Sequence, residues 1–290
     1  MPRAGVSGVE IEYEVIGEGQ PLLMVQGFAG QLVMWDDELC AAFVDRGFQV
    51  IRYDHRDIGK STYFDDLGIP DIVGSLVRAY TKRPVSAPYT LYDMADDGIG
   101  ILDHLGIDRA HVFGCSMGGM VAQCMAIRHP ARLRSVTSVM STTGARWASI
   151  PRPRALRAML KRPPRDAQGA ARQLVDFFRV VRGPRFAFDE DRLFELGKRV
   201  HSRAFHPQGA ARHLAAIAAT GDRTPGLKKV ELPFLVIHGT HDPLVPVLGG
   251  VATHRAVKGS RLKLIQGMGH ELPSGAWPMI TGAVARHAGL

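Results

Sequence analysis

Cysteine is scarce: Cys40, Cys115 and Cys124 are the only three in 290 residues. An odd, small number with no regular spacing argues against a disulfide framework and against a zinc-ligand pattern, and a reduced, cytoplasmic setting is expected. Long apolar runs are missing as well. No stretch approaches the roughly 18 uninterrupted apolar residues of a membrane-spanning helix, so no membrane span is expected. The opening MPRAGVSGVEIEYEVIG has no apolar centre of the kind a secretory signal needs. Internal repeats are absent. Recognised nucleic-acid motifs and basic-aromatic interleaving are absent too, and no nucleic-acid partner is expected. Nothing in the composition points to a particular oligomeric state.

What is present is ordinary for a folded protein: 46% hydrophobic and 22% charged residues. The length suits one large α/β domain with an insertion. The net charge of +8 is unevenly spread. Residues 146–229 hold 19 Lys/Arg against 7 Asp/Glu, a local balance of +12 that leaves −4 for the rest. Such a segment reads as an Arg-rich, solvated set of helices.

The first half alternates short apolar runs with helical patterns, the mark of βαβ units and a mostly parallel sheet. Val9 to Val15 alternates like an antiparallel edge strand. Residues 21–26, 48–54, 110–115 and 135–140 follow as buried strands, and 234–238 and 261–265 come after a gap. Thr90 is a candidate N-cap with Asp93, Asp96 and Asp97 behind it, and Gly106 stands at the C-cap. A second helix should run from Met117 to about His129, ahead of Pro130. From 142 to 225 the rhythm breaks. Prolines alternate there with helical patterns such as Leu174, Phe178, Val181 and Leu193, Leu196, Val200. The reading is a core of residues 1–141 and 226–290, with a helical insertion over 142–225.

Gly114-Cys-Ser116-Met-Gly118 fits the G-x-S-x-G turn, in which a strand bends sharply into a helix and projects a serine above the sheet. A serine hydroxyl needs a base. Among twelve histidines, His270 in Gly267-Met-Gly-His270-Glu-Leu-Pro lies just past the last strand, at the edge where loops carry function. Asp242, in Gly239-Thr-His-Asp242-Pro, follows the strand before it and can hold the imidazole tautomer; it could also cap the turn at Pro243. The order Ser116, Asp242, His270 fits one known triad order and no other. A developing oxyanion requires preorganised donors. The backbone N–H of Met117 and that of Phe28, in the loop Gln26-Gly27-Phe28-Ala29-Gly30, are the candidates. His238 and His241 offer no defined ligand face, and no metal site is expected.

These residues together resemble the α/β-hydrolase superfamily over nearly the whole chain. Val50-Ile-Arg-Tyr-Asp-His-Arg-Asp-Ile-Gly-Lys-Ser61 is similar to its Y-D-x-R-x-x-G-x-S turn. With the His270 loop it most resembles the mycobacterial esterase/lipase proteins and the aclacinomycin methylesterase type, which cleaves a methyl ester on a polyketide. The resemblance implies an α/β-hydrolase fold, a serine esterase mechanism with the triad above, a cap formed by 142–225, and no metal or organic cofactor. Many members carry His-Gly where this chain has Gln26-Gly27, so the contacts bracing that loop should differ. Arg56 and Asp57 read as a salt-bridged structural turn, and Cys115 as a packing residue pointing away from the pocket. Gly27, Trp147 and Leu244 are candidate pocket residues. Apolar residues near the insertion's borders, Trp147 and Phe205, suggest a small-molecule ester with a greasy moiety. Serine-triad chemistry on carbon–carbon bonds, peracids, lactones or amides stays open, as does a non-catalytic ligand receptor.

Overall fold

Apolar runs become strands and the intervals become helices, as the alternation requires. The computed structural model describes residues 1–6, 8–81, 83–148 and 150–290. Its strands are β1 (Arg3–Val6), β2 (Val9–Ile16), β3 (Gln20–Val25), β4 (Phe48–Tyr53), β5 (Ala110–Cys115), β6 (Leu133–Val139), β7 (Phe234–Gly239) and β8 (Arg261–Ile265). They form one sheet in the order β1-β2-β4-β3-β5-β6-β7-β8. β1/β2 and β2/β4 pair antiparallel, and all other neighbours pair parallel. This is the α/β-hydrolase architecture expected. One detail differs: Val9–Val15 is not the edge strand, because β1 pairs outside it through Ala4 and Ile11. Four residues, only two of them buried, are too few to show alternation.

The helices are α1 (Asp37–Val44), α2 (Ile72–Tyr80), α3 (Leu91–His104), α4 (Met117–Arg128), α5 (Pro153–Met159), α6 (Ala167–Val181), α7 (Glu190–Arg203), α8 (Pro207–Thr220), α9 (Thr224–Leu227), α10 (Val247–Ala256) and α11 (Trp277–Ala288). α3 opens on a capping box, the Thr90 hydroxyl accepting from the Asp93 amide while the Asp93 carboxylate accepts from Thr90 N–H. Parallel strands are buried on both faces, and successive residues serve opposite layers. Val112, Val136 and Val236 pack with α3 and α4. Phe113, Val139 and Ile237 pack with Phe43 of α1 and Ile280 of α11. Among the described residues, no helix is long and apolar enough to cross a membrane.

α5 to α9 lie between β6 and β7, and their arginines are not simply solvated. Arg203 pairs with Glu12 and Asp54, Arg199 with Asp37, and Arg192 with Asp36 and Glu38. Arg212, fully buried, grips Asp57 with two bonds of 2.8 and 2.7 Å. Burial alone would raise the Asp57 carboxyl, but the Arg212 bonds override it and hold the group low. Arg56 in turn grips Asp97 at 2.6 and 2.7 Å. The Arg56–Asp57 turn is thus salt-bridged, each residue to a different helix. The basic insertion and the acidic remainder of the chain meet as ion pairs.

His55 and His213 sit inside this seam with ring centroids 5.8 Å apart. Burial pushes them down to about 3 and about 4, with each other's charge adding to the effect on His55. Both are therefore neutral in the folded protein. In the unfolded chain they would take up protons below ~6.5, so stability is complete above that pH and is lost on acidification, by about 1.4 kcal/mol per pH unit for each ring. Asp54 and Asp97, raised by burial, act in the opposite sense at the acid end. The thermal midpoint should fall by a few degrees between pH 7 and pH 5. A constant or rising midpoint would contradict the neutral burial of these rings.

Candidate active site

Ser116 lies between β5 and α4 with φ 54° and ψ −120°. A left-handed conformation for a non-glycine residue costs about 1–3 kcal/mol and persists only where its surroundings impose it. The surroundings here are backbone. A Cβ at Gly114 would stand 2.2 Å from the Gly118 carbonyl oxygen, and one at Gly118 would stand 2.0 Å from that of Val25. Both glycines of the motif are therefore required by close approach. The Ser116 amide donates to Val139 O at 2.9 Å, and Ser141 Oγ donates to Ser116 O at 2.8 Å.

The structure brings the three distant residues together. His270 Nε2 is 2.9 Å from Ser116 Oγ, and His270 Nδ1 is 2.7 Å from Asp242 Oδ2. The other Asp242 oxygen accepts from the amides of Leu244 at 2.9 Å and Val245 at 2.8 Å. The two sequence readings of Asp242, turn cap and imidazole partner, are thus realised on separate oxygens. His238 Nε2 donates to Val245 O at 2.8 Å and lies 3.6 Å from Asp242 Oδ2. Burial lowers its pKa, which favours the neutral ring and leaves the carboxylate charge to face His270. His241 turns elsewhere, to Thr240 Oγ1 at 3.0 Å.

Strand register explains why the loop 26–30 meets Ser116. Val25 of β3 pairs with Gly114 of β5, so the segments leaving both strands are neighbours. A Cβ on Gly27 would sit 3.4 Å from Ser116 Cβ. Among the described residues, neither the Phe28 nor the Met117 amide donates to an acceptor within the chain. Backbone N–H groups left unpaired in the chain can serve a carbonyl oxygen that gains charge. Gln26 braces this loop in its own way: Oε1 accepts from the Gly27 amide at 2.7 Å and from Cys115 Sγ at 3.4 Å, while the Gln26 carbonyl accepts from His55 Nε2 at 2.9 Å.

Cys115 does not point away from the pocket as expected. Its thiol reaches Gln26, and the residue is among those lining the cavity beside Ser116. Burial pushes that thiol up to about 12, so it stays protonated.

Above Ser116 lies a cavity of about 260 Å³. The insertion supplies its apolar roof through Met159, Phe177, Phe178, Phe188, Leu193 and Leu196. Of the three expected pocket residues, Gly27 and Leu244 line it. Trp147 does not: it stands 57% exposed on a short turn (Arg146–Ala148), outside the lining. Phe205, 40% exposed, is likewise absent. Trp35, Met140, Trp277 and Glu271 line the cavity without having been singled out. Only Glu271 carried a signal, its position next to His270.

The chain belongs to the α/β-hydrolase fold family, which matches residues 20–274. It is a hydrolase of that family. It is 26% identical over 312 residues to rhodomycin D methylesterase DnrP of Streptomyces peucetius, spanning 99% of this chain and 98% of that protein. It is 30% identical over 263 residues to 3-oxoadipate enol-lactonase 2 of Acinetobacter baylyi, spanning 89% and 85%. The solved enol-lactonase from Burkholderia xenovorans LB400 matches with a TM-score of 0.72 at 25% identity, covering 100% of both chains.

The close approach at Gly118 has a measurable consequence. Gly118→Ala should lower the unfolding free energy by about 1–3 kcal/mol through overpacking, read by denaturant titration. An unchanged midpoint would contradict the backbone contact with Val25.

Proposed function

We propose that the protein is a carboxylic ester hydrolase working through an acyl-enzyme on Ser116. The observation that carries this is the unbroken line of contacts from Asp242 through His270 to the Ser116 hydroxyl. His270 takes the serine proton as Oγ attacks the ester carbonyl. Asp242 holds the imidazole tautomer and stabilises the imidazolium. The N–H groups of Phe28 and Met117 receive the oxyanion, each contributing ~3 kcal/mol to lowering the barrier. His270 then returns the proton to the departing alcohol, and water cleaves the acyl-enzyme by the reverse sequence.

Residues 142–225 act as a cap that roofs the site with aromatic and aliphatic side chains. An apolar enclosure of this kind suits an ester with a bulky, apolar acyl or alcohol part. The methylesterase relative supports a small alcohol leaving group. A lactone, an ester closed into a ring, is the second reading, favoured by the 30% identical enol-lactonase. A cytoplasmic setting suits three buried, free thiols.

Ser116→Ala should abolish labelling by a fluorophosphonate probe; a label retained on another serine would reject the assignment. His270→Ala should reduce turnover of p-nitrophenyl esters by orders of magnitude, on the scale of about 10⁴-fold or more for loss of a triad member. A loss under tenfold would mean that another base serves. Methyl esters of bulky apolar acids should be cleaved with higher kcat/KM than acetate esters, and the reverse order would contradict the role given to the roof.

A further inference from the structure

The loop carrying His270 is fastened to the helical insertion as well as to the sheet. Residues 181–185, at the end of α6, run alongside residues 266–271. The amide of His270 itself donates to Val181 O at 2.8 Å, and the Arg185 amide donates to Gly267 O at 3.3 Å. Arg185 Nη1 adds a bond to Gln266 O at 3.3 Å. The two segments touch backbone to backbone. A Cβ at Gly183 would stand 2.0 Å from Gly267 O, and one at Gly269 would stand 2.2 Å from Val181 O. Gly267 has φ 73°, and a Cβ there would meet Arg185 Cβ at 2.5 Å.

A buried side chain also ties the seam, from the side of the His270 loop. Glu271, 9% exposed, accepts from the Gly183 amide through Oε1 at 2.8 Å. It lies on the cavity wall next to the imidazole. Burial raises its carboxyl, and the amides of Gly183 and Gly269 together with the charge of Arg182 oppose that rise. A buried carboxylate is costly, and of the groups that offset that cost the Gly183 amide is the one that belongs to the insertion and bonds it directly. An imidazole that must meet a hydroxyl within a few tenths of an ångström depends on how its loop is held, since 1 Å of misplacement can cost about 100-fold in rate.

We propose that Glu271 is a positioning residue: by holding Gly183 of the insertion it fixes the loop on which His270 sits, so that the cap sets the imidazole–serine geometry. This rests on the ester-hydrolase reading above. It makes the cap, at the α6 end, part of the catalytic frame and not a freely hinged lid.

The test compares wild type with Glu271→Gln, Glu271→Asp and Glu271→Ala, each verified as folded by circular dichroism. The readouts are the rate of fluorophosphonate labelling and the kcat and KM for one p-nitrophenyl ester. Gln keeps both the reach and an acceptor oxygen, and should stay within about fivefold of wild type. Asp keeps the charge but is one methylene short, and should fall about 10- to 100-fold in labelling rate and kcat with little change in KM. Ala should behave as Asp does. Should Ala fail to fold, the contrast between Gln and Asp still decides. Asp labelling as fast as wild type would overturn the proposal, as would a Gln variant as slow as Asp or a loss confined to KM. A wild-type protein that takes no label on Ser116 would instead overturn the hydrolase reading itself.

Discussion

The site depends on one strained residue. Ser116 holds a left-handed backbone between a strand and a helix, and nothing in its own side chain favours that state. Gly114 and Gly118 let main chain close on main chain around it, and Val139 and Ser141 supply the hydrogen bonds that keep it there. Ala29 and Met140 share the positive φ, one in the loop beside the serine and the other on the cavity wall. Three of the four described non-glycine residues with positive φ thus lie where chemistry is proposed, the fourth being Asp57 in the salt-bridged turn.

The parallel order of β3, β5, β6, β7 and β8 delivers the rest. Their carboxyl ends share one rim, so the loops after them converge without long excursions. Asp242 follows β7 by three residues and His270 follows β8 by five. The insertion after β6 then covers that rim. Its arginines reach down to carboxylates on the core, and its apolar faces enclose the cavity. Buried pairs such as Arg212–Asp57 add little net stability over a well-packed apolar pair, but losing one partner would strand a charge. They serve here to dock the insertion in one register above Ser116.

Much of this was legible in the chain because its signals are local. A strand, a turn with glycines two residues either side of a serine, and a following helix lie within consecutive residues. Each triad candidate stands just past an apolar run. Register and packing were not legible. β1 is too short to show a period. Trp147 looked like a pocket wall because it is large and apolar near the insertion border, yet it faces solvent. Cys115, at the strand end beside the serine, was expected to point away from the pocket, but its thiol turns to Gln26. Arginine-rich helices read as solvated because their partners, Glu12, Asp36 and Asp57, lie more than 130 residues away.

If Ser116 is the nucleophile, its hydroxyl becomes covalently acylated and water then frees it. Rapid acid quench of the enzyme with excess p-nitrophenyl ester, followed by peptide mass spectrometry, tests it most directly. The added mass of the acyl group should appear on the peptide containing Ser116 within the first turnover and decay once substrate is exhausted. Turnover that proceeds with the acyl mass on another residue would contradict it.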